Sequence, residues 1–196
     1  MREQCVAHLI GRGDEQIRML KRIARRAGFI ELQPLGGGNT SGHTKDRKLN
    51  YFLVHHELGA AAIEAVLRSI RSSIIADVRY APIVLFATDG PFEQYLGYVQ
   101  MGFDDVVTLP EKADIVEQRL IAQLDTKYVY FDTATCFGPD RRRMEVEPPP
   151  EHKRATTPHS HVRHHFRRDP DRGIVVMRSD SYLAFGHRPM RVVRIG

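Results

Sequence analysis

Tryptophan is absent from this 196-residue chain, and cysteine occurs only twice, at Cys5 and Cys136. Two thiols so far apart form no disulfide framework and no cysteine metal spacing, which points to a reducing compartment. No stretch approaches the roughly 18 apolar residues of a membrane span. The opening stretch, MREQCVAHLIGRGDEQIRML, carries acids and lacks both a long apolar run and a small-residue cleavage site. No secretory signal is expected, and a cytoplasmic location is. An excess of one charge is missing from the first part of the chain. Residues 1–138 hold 16 Lys/Arg against 17 Asp/Glu, whereas residues 139–196 hold 13 against 7 and six of the ten histidines. The formal net charge of +5 is therefore a property of the tail. What remains, 42% apolar and 27% charged residues, is ordinary for a globular protein.

Strand-like and helix-like patterns alternate through the first part. CVAHLI (5–10), FIELQP (29–34), YFLVH (51–55), PIVLFA (82–87) and DDVVTL (104–109) are short apolar runs suited to buried strands. Between them, residues 14–27, 60–75, 91–101 and 111–124 repeat apolar residues at helical spacing, as Ile63, Val66, Leu67, Ile70 and Ile74 do. Asp14 is a candidate N-cap, and Gly28 fits just past a helix end. Alternation of this kind implies a parallel sheet covered on both faces, here a doubly wound, flavodoxin-like sheet of five strands. Such sheets place their sites beyond the carboxyl ends of the strands. The pair His55 and His56 ends the third strand and falls there. The Gly-rich stretch at 35–50 replaces an ordinary helical crossover; it has no phosphate-loop pattern and reads as a surface loop.

With these residues in view, the chain over about 4–125 resembles the receiver domain of bacterial two-component response regulators. APIVLFATDGPFEQYLGYVQMGFDDVVTLP (81–110) carries most of the likeness, and HLIGRGDEQIRMLKRIARRAGF the rest. FGPDRRR (137–143) resembles a segment that follows receivers in some alphaproteobacterial regulators. The resemblance implies a pocket built from an acid pair that helps hold Mg²⁺, a phosphoacceptor aspartate, a Ser/Thr and a lysine. The corresponding positions here carry Arg12 and Gly13, with Asp14 beside them; His55, or His56 if the register slips; Ala87, with Thr88 one place late; and Leu109. A guanidinium repels a divalent cation, imidazole prefers softer metals, and leucine pairs with no phosphate. The resemblance therefore implies a degenerate pocket with no cofactor, no catalysis and phosphorylation-independent signalling or scaffolding. The partner is a protein, whether a sensor kinase, a regulator or a motility or cell-cycle component, bound through the fourth helix, fifth strand and fifth helix; a homodimer is a further expectation. Three readings of His55 and His56 stay open: strand-end residues bonded to backbone, a pH-responsive or locked signalling mimic, and a metal or phosphohistidine site.

Beyond a receiver-like domain at 1–126, a linker at 127–150 carries Arg141, Arg142, Arg143 and a proline run. These arginines are the anion- or nucleotide-binding candidates, and a cyclic dinucleotide such as cyclic di-GMP is the alternative ligand. A His/Arg-rich segment at 151–172, with His159, His161, His164 and His165, reads as a flexible basic spacer that attracts nucleic acid only non-specifically. No DNA-reading module is recognisable, so sequence-specific DNA binding is not expected. Residues 173–196 form a hairpin-like segment, with strands at Ile174–Val176 and Tyr182–Phe185 turning at RSDS.

Overall fold

A computed structural model describes residues 5–35, 49–134, 136–139, 160–185 and 188–194, the last group and 183–185 as backbone. The chain forms two compact units, residues 1–126 with 168–175 and residues 127–167 with 176–196.

The first unit is a five-stranded parallel sheet, β1 (Cys5–Ile10), β2 (Glu31–Pro34), β3 (Leu49–His55), β4 (Ile83–Thr88) and β5 (Asp105–Leu109), in the order β2-β1-β3-β4-β5. This is the flavodoxin-like doubly wound order that the strand–helix alternation predicts. All of β1 and β3 is buried, as expected of central strands covered on both faces. One side of the sheet packs Leu20, Ala24, Val116 and Leu120, and the other packs Ile63, Leu67, Ile70 and Val99.

The helices are α1 (Asp14–Arg26), α2 (Ala60–Arg71), α3 (Ala76–Arg79), α4 (Phe92–Met101) and α5 (Ala113–Ile121). Gly13 rather than Asp14 is the N-cap of α1. Asp14 and Glu15 lie in its first turn and Arg25 and Arg26 in its last, a distribution that complements the helix dipole. Gly102 closes α4 at φ 111°, a left-handed conformation that a side chain would resist.

The second helix departs from its periodicity. It stops at Arg71, and Ile74, expected on its apolar face, is fully exposed. The cause is Arg71 itself. Its side chain is buried and donates to the Arg79 and Ala81 carbonyls and to Asp104 Oδ2 at 2.7 Å. The chain must turn back at Ser72 to bring those acceptors into range. Asp104 also receives Arg168 Nη2 at 2.6 Å and the Ile83 N–H at 2.7 Å. Arg168 is fully buried and bonds the Tyr80 carbonyl and Gln123 as well. One carboxylate thus holds two buried guanidiniums, each of which also donates to backbone carbonyls, and such pairing is what makes buried ions tolerable.

A second, antiparallel sheet has the order β10-β9-β8-β6-β7; most of it belongs to the second unit, while residues 168–175 are counted with the first. Its strands are β6 (Lys127–Asp132), β7 (Phe137–Pro139), β8 (His161–Asp169), β9 (Gly173–Phe185) and β10 (Arg188–Arg194). Three sequence expectations are corrected here. The stretch from 127 read as a linker supplies β6 and β7. The segment read as a flexible spacer supplies β8, and RSDS is no turn but the middle of a 13-residue strand. The β8–β9 reversal lies instead at Asp169–Gly173, where Asp169 Oδ1 accepts from the N–H groups of Asp171 and Arg172. The β9–β10 connection follows Phe185. On one sheet face Phe166 packs against Tyr128 and Tyr130, and Phe166 and Tyr130 are fully buried. Along the strands such residues are interrupted by charged and imidazole groups, as in HVRHHFRRD of β8, which hides the strands from a hydropathy reading.

Candidate functional site

The parallel register brings the carboxyl ends of β3, β4 and β5 side by side: His55 lies opposite Phe86, and Thr88 opposite Leu109. Neighbouring strands lie about 4.8 Å apart, so these residues and the loop after β1 frame one small area.

His55 closes β3 and is 5% exposed. Its Nδ1 accepts the Glu57 backbone N–H at 3.2 Å, which starts the 3₁₀ turn His56–Leu58. That bond requires an unprotonated Nδ1 and so selects the neutral Nε2–H tautomer. Burial pushes the His55 pKa below 6.5, the neighbouring His56 pushes it further down, and Glu57 opposes both. The two imidazoles lie 5.0 Å apart, centroid to centroid. His56 Nε2 meets Thr88 Oγ1 at 3.2 Å, so Thr88, exposed at the end of β4, bonds an imidazole. Ala87 is buried beneath it.

Across the site, the loop after β1 is ordered by Gln16, a residue with no prominence in the sequence. Its Oε1 accepts the N–H groups of Arg12, at 2.5 Å, and Gly13, at 3.2 Å. This is the half of a capping box supplied by the third helical residue. Its Nε2 donates to Glu57 Oε2 at 2.7 Å. A chain of contacts therefore runs from α1 through Gln16 and Glu57 to His55. Arg12 and Asp14 are both exposed, and Leu109 packs against the core.

Of the residues picked out by sequence, Arg12, Gly13, His55, His56, Ala87, Thr88 and Leu109 thus lie along one run of bonded or strand-paired neighbours, which adds Gln16 and Glu57; Asp14 is exposed in the first turn of α1. Their chemistry is that of a neutral imidazole at His55, a second imidazole, an amide, a hydroxyl and the exposed Arg12 guanidinium, with Glu57 as the carboxylate in the bonded chain. Arg141, Arg142 and Arg143 lie outside the described residues, as does His159. Of the remaining tail histidines, His164 bonds Ser179 Oγ and approaches Asp132, whereas His165 approaches Asp180. Adjacent residues of one strand face opposite ways, which separates the two imidazoles. Among the described residues no group of three His, Cys, Asp or Glu side chains is placed to hold a metal ion. Nor is any described helix long and apolar enough to cross a membrane.

No protein-family model matches the chain, and no curated protein does. Solved structures give slight likenesses. A response regulator in red light signaling of R. palustris is 14% identical with a TM-score of 0.43, over 60% of this chain and 89% of that one. A response regulator receiver domain from Rhodospirillum rubrum is 16% identical, TM-score 0.43, over 58% and 89%. The signal receiver domain of a signal transduction histidine kinase from Syntrophus aciditrophicus is 16% identical, TM-score 0.42, over 61% and 91%. Values this low assign no family, and the fold class rests on the strand order itself.

Proposed function

We propose that the chain is a phosphorylation-independent binding protein of the signalling or scaffold type, built on a receiver-like parallel sheet. The observation that carries this reading is the state of His55. The residue standing where a receiver presents its nucleophile is buried and neutral, and its Nδ1 is engaged by a backbone N–H. Arg12 in place of an acid and Leu109 in place of a lysine agree with it. A site of this kind holds its surroundings in one arrangement without a phosphoryl group to bias them.

The binding surface in this reading is α4, β5 and α5. Phe92 is 63% exposed on α4, and Met101 is exposed at its other end. Arg119 on α5 clasps the Asp105 carboxylate at the start of β5, Nε to Oδ2 at 2.8 Å, and braces the two elements against each other. Affinity capture from the source cell, with and without acetyl phosphate, tests the reading. The same partner should be recovered in both, and Phe92→Ala should weaken recovery. A partner recovered only with the phosphodonor contradicts it. The alternative ligand, cyclic di-GMP at Arg141–Arg143, is tested on the same preparation by calorimetric titration, with heat release expected only if that alternative holds.

A further inference from the structure

The second sheet concentrates cations and aromatic rings on one face, a grouping invisible in the linear sequence. Lys127, Val129 and Phe131 of β6 lie directly opposite Arg167, His165 and Arg163 of β8, so these six share a face. From β9, Tyr182 reaches the same face through Arg163, and Arg178 through His165. The Arg163 guanidinium sits 5.1 Å from the Phe131 ring centroid and 4.6 Å from that of Tyr182. His161 stacks on Tyr182 at 4.7 Å, with the planes 9° apart. Rings this close hold the guanidinium in place, and its Nη1 also donates to the Tyr182 hydroxyl at 3.5 Å. The Nε–H of Arg163 is buried and has no hydrogen-bond partner among the described residues. Lys127 and Arg178 are exposed, and Arg178 also pairs with the buried Asp180 at 3.0 Å. Over its whole sequence the unit holds 12 Lys/Arg against 6 Asp/Glu.

We propose that this face binds single-stranded nucleic acid, with phosphates on Lys127, Arg163 and Arg178 and bases against Phe131 and Tyr182. Cations matched to a polyanion account for the charge, and the layered rings for the preference. Single strands expose base faces that a duplex hides, and aromatic side chains on a basic surface are what such bases stack on. An anionic membrane would use the charge but not the rings, which lie among polar neighbours on a sheet face rather than on a projecting apolar tip. The proposal is independent of the reading of the first unit.

Fluorescence anisotropy of a labelled oligothymidylate, titrated with the full chain over a range of salt, tests it. Three phosphate contacts give a slope of log affinity against log salt of about −2. Phe131→Ala and Arg163→Ala should each weaken binding about ten-fold. Lys127→Gln, an exposed change that leaves the fold intact, should make the slope shallower by about 0.7. A duplex of the same length and phosphatidylserine vesicles should bind more weakly than the single strand. The proposal is overturned by no binding at low salt. Binding that survives all three substitutions, or vesicles or duplex preferred to the single strand, overturns it equally.

Discussion

The two sheets of this chain are built from opposite materials. In the first unit the central strands β1 and β3 are buried along their whole length, and the unit holds 17 Lys/Arg against 18 Asp/Glu. In the second, β8 is His161–Asp169, HVRHHFRRD, and the unit has twice as many cations as anions. A parallel sheet packed on both faces must be written in aliphatic residues. An antiparallel ladder can be held by its own backbone bonds, one aromatic cluster and cross-strand pairs, which leaves the other face open to charge. The first sheet therefore presents its chemistry only at strand ends, while the second presents it along a face.

Substitutions in the two buried centres sharpen that contrast most. Asp104→Ala leaves Arg71 and Arg168 buried without their carboxylate. It should cost about 3–5 kcal/mol, read from urea denaturation of the full chain. Phe166→Ala empties the aromatic centre of the second sheet and should cost about 3 kcal/mol. Hydrogen exchange should then show protection lost in β6 and β8 while β3 and β4 keep theirs. Loss of protection spread equally over both sheets would break the comparison.

A smaller effect follows from two histidines of the first unit. His8 is buried, its Nε2 meets Asn50 Oδ1 at 2.7 Å, and its pKa, like that of His55, is pushed below 6.5 chiefly by burial. With the folded value below the unfolded one, the unfolded chain binds more protons in that window. Stability is therefore whole above pH 6.5 and falls as pH drops through the folded pKa values. The urea midpoint should decline on acidification from pH 7 to pH 5, and His8→Gln should flatten that decline. Smallest of all is Arg68→Ala, which removes the exposed Glu64–Arg68 pair on α2 and should change stability by no more than about 0.5 kcal/mol.

The first sheet was legible because its residues obey one period at a time. Apolar runs, helical repeats and punctuation by Gly28 agree with each other there. The pattern failed at Ile74, where the hydrogen bonds of Arg71 outweigh helical periodicity. It failed again in β8 and β9, where residues paired across strands are scattered along the sequence: Phe131 and Tyr182 flank Arg163 only once the strands are laid side by side. Within the candidate site, His55 was found because strand ends can be counted, and Thr88 and Leu109 through the resemblance to receivers. Gln16 and Glu57 were missed because a capping amide and an exposed acid look like ordinary surface until their bonds are seen. The one available signal was Gln16 three residues after Gly13, the spacing of a helix cap.

The proposal on which most rests is that the carboxyl edge of the first sheet takes up no phosphoryl group. Intact-mass spectrometry of the purified chain after incubation with acetyl phosphate and Mg²⁺ tests it most directly. The expected spectrum shows the unmodified mass alone. A gain of one phosphoryl group, lost when His55 or His56 is replaced by glutamine, would contradict the account.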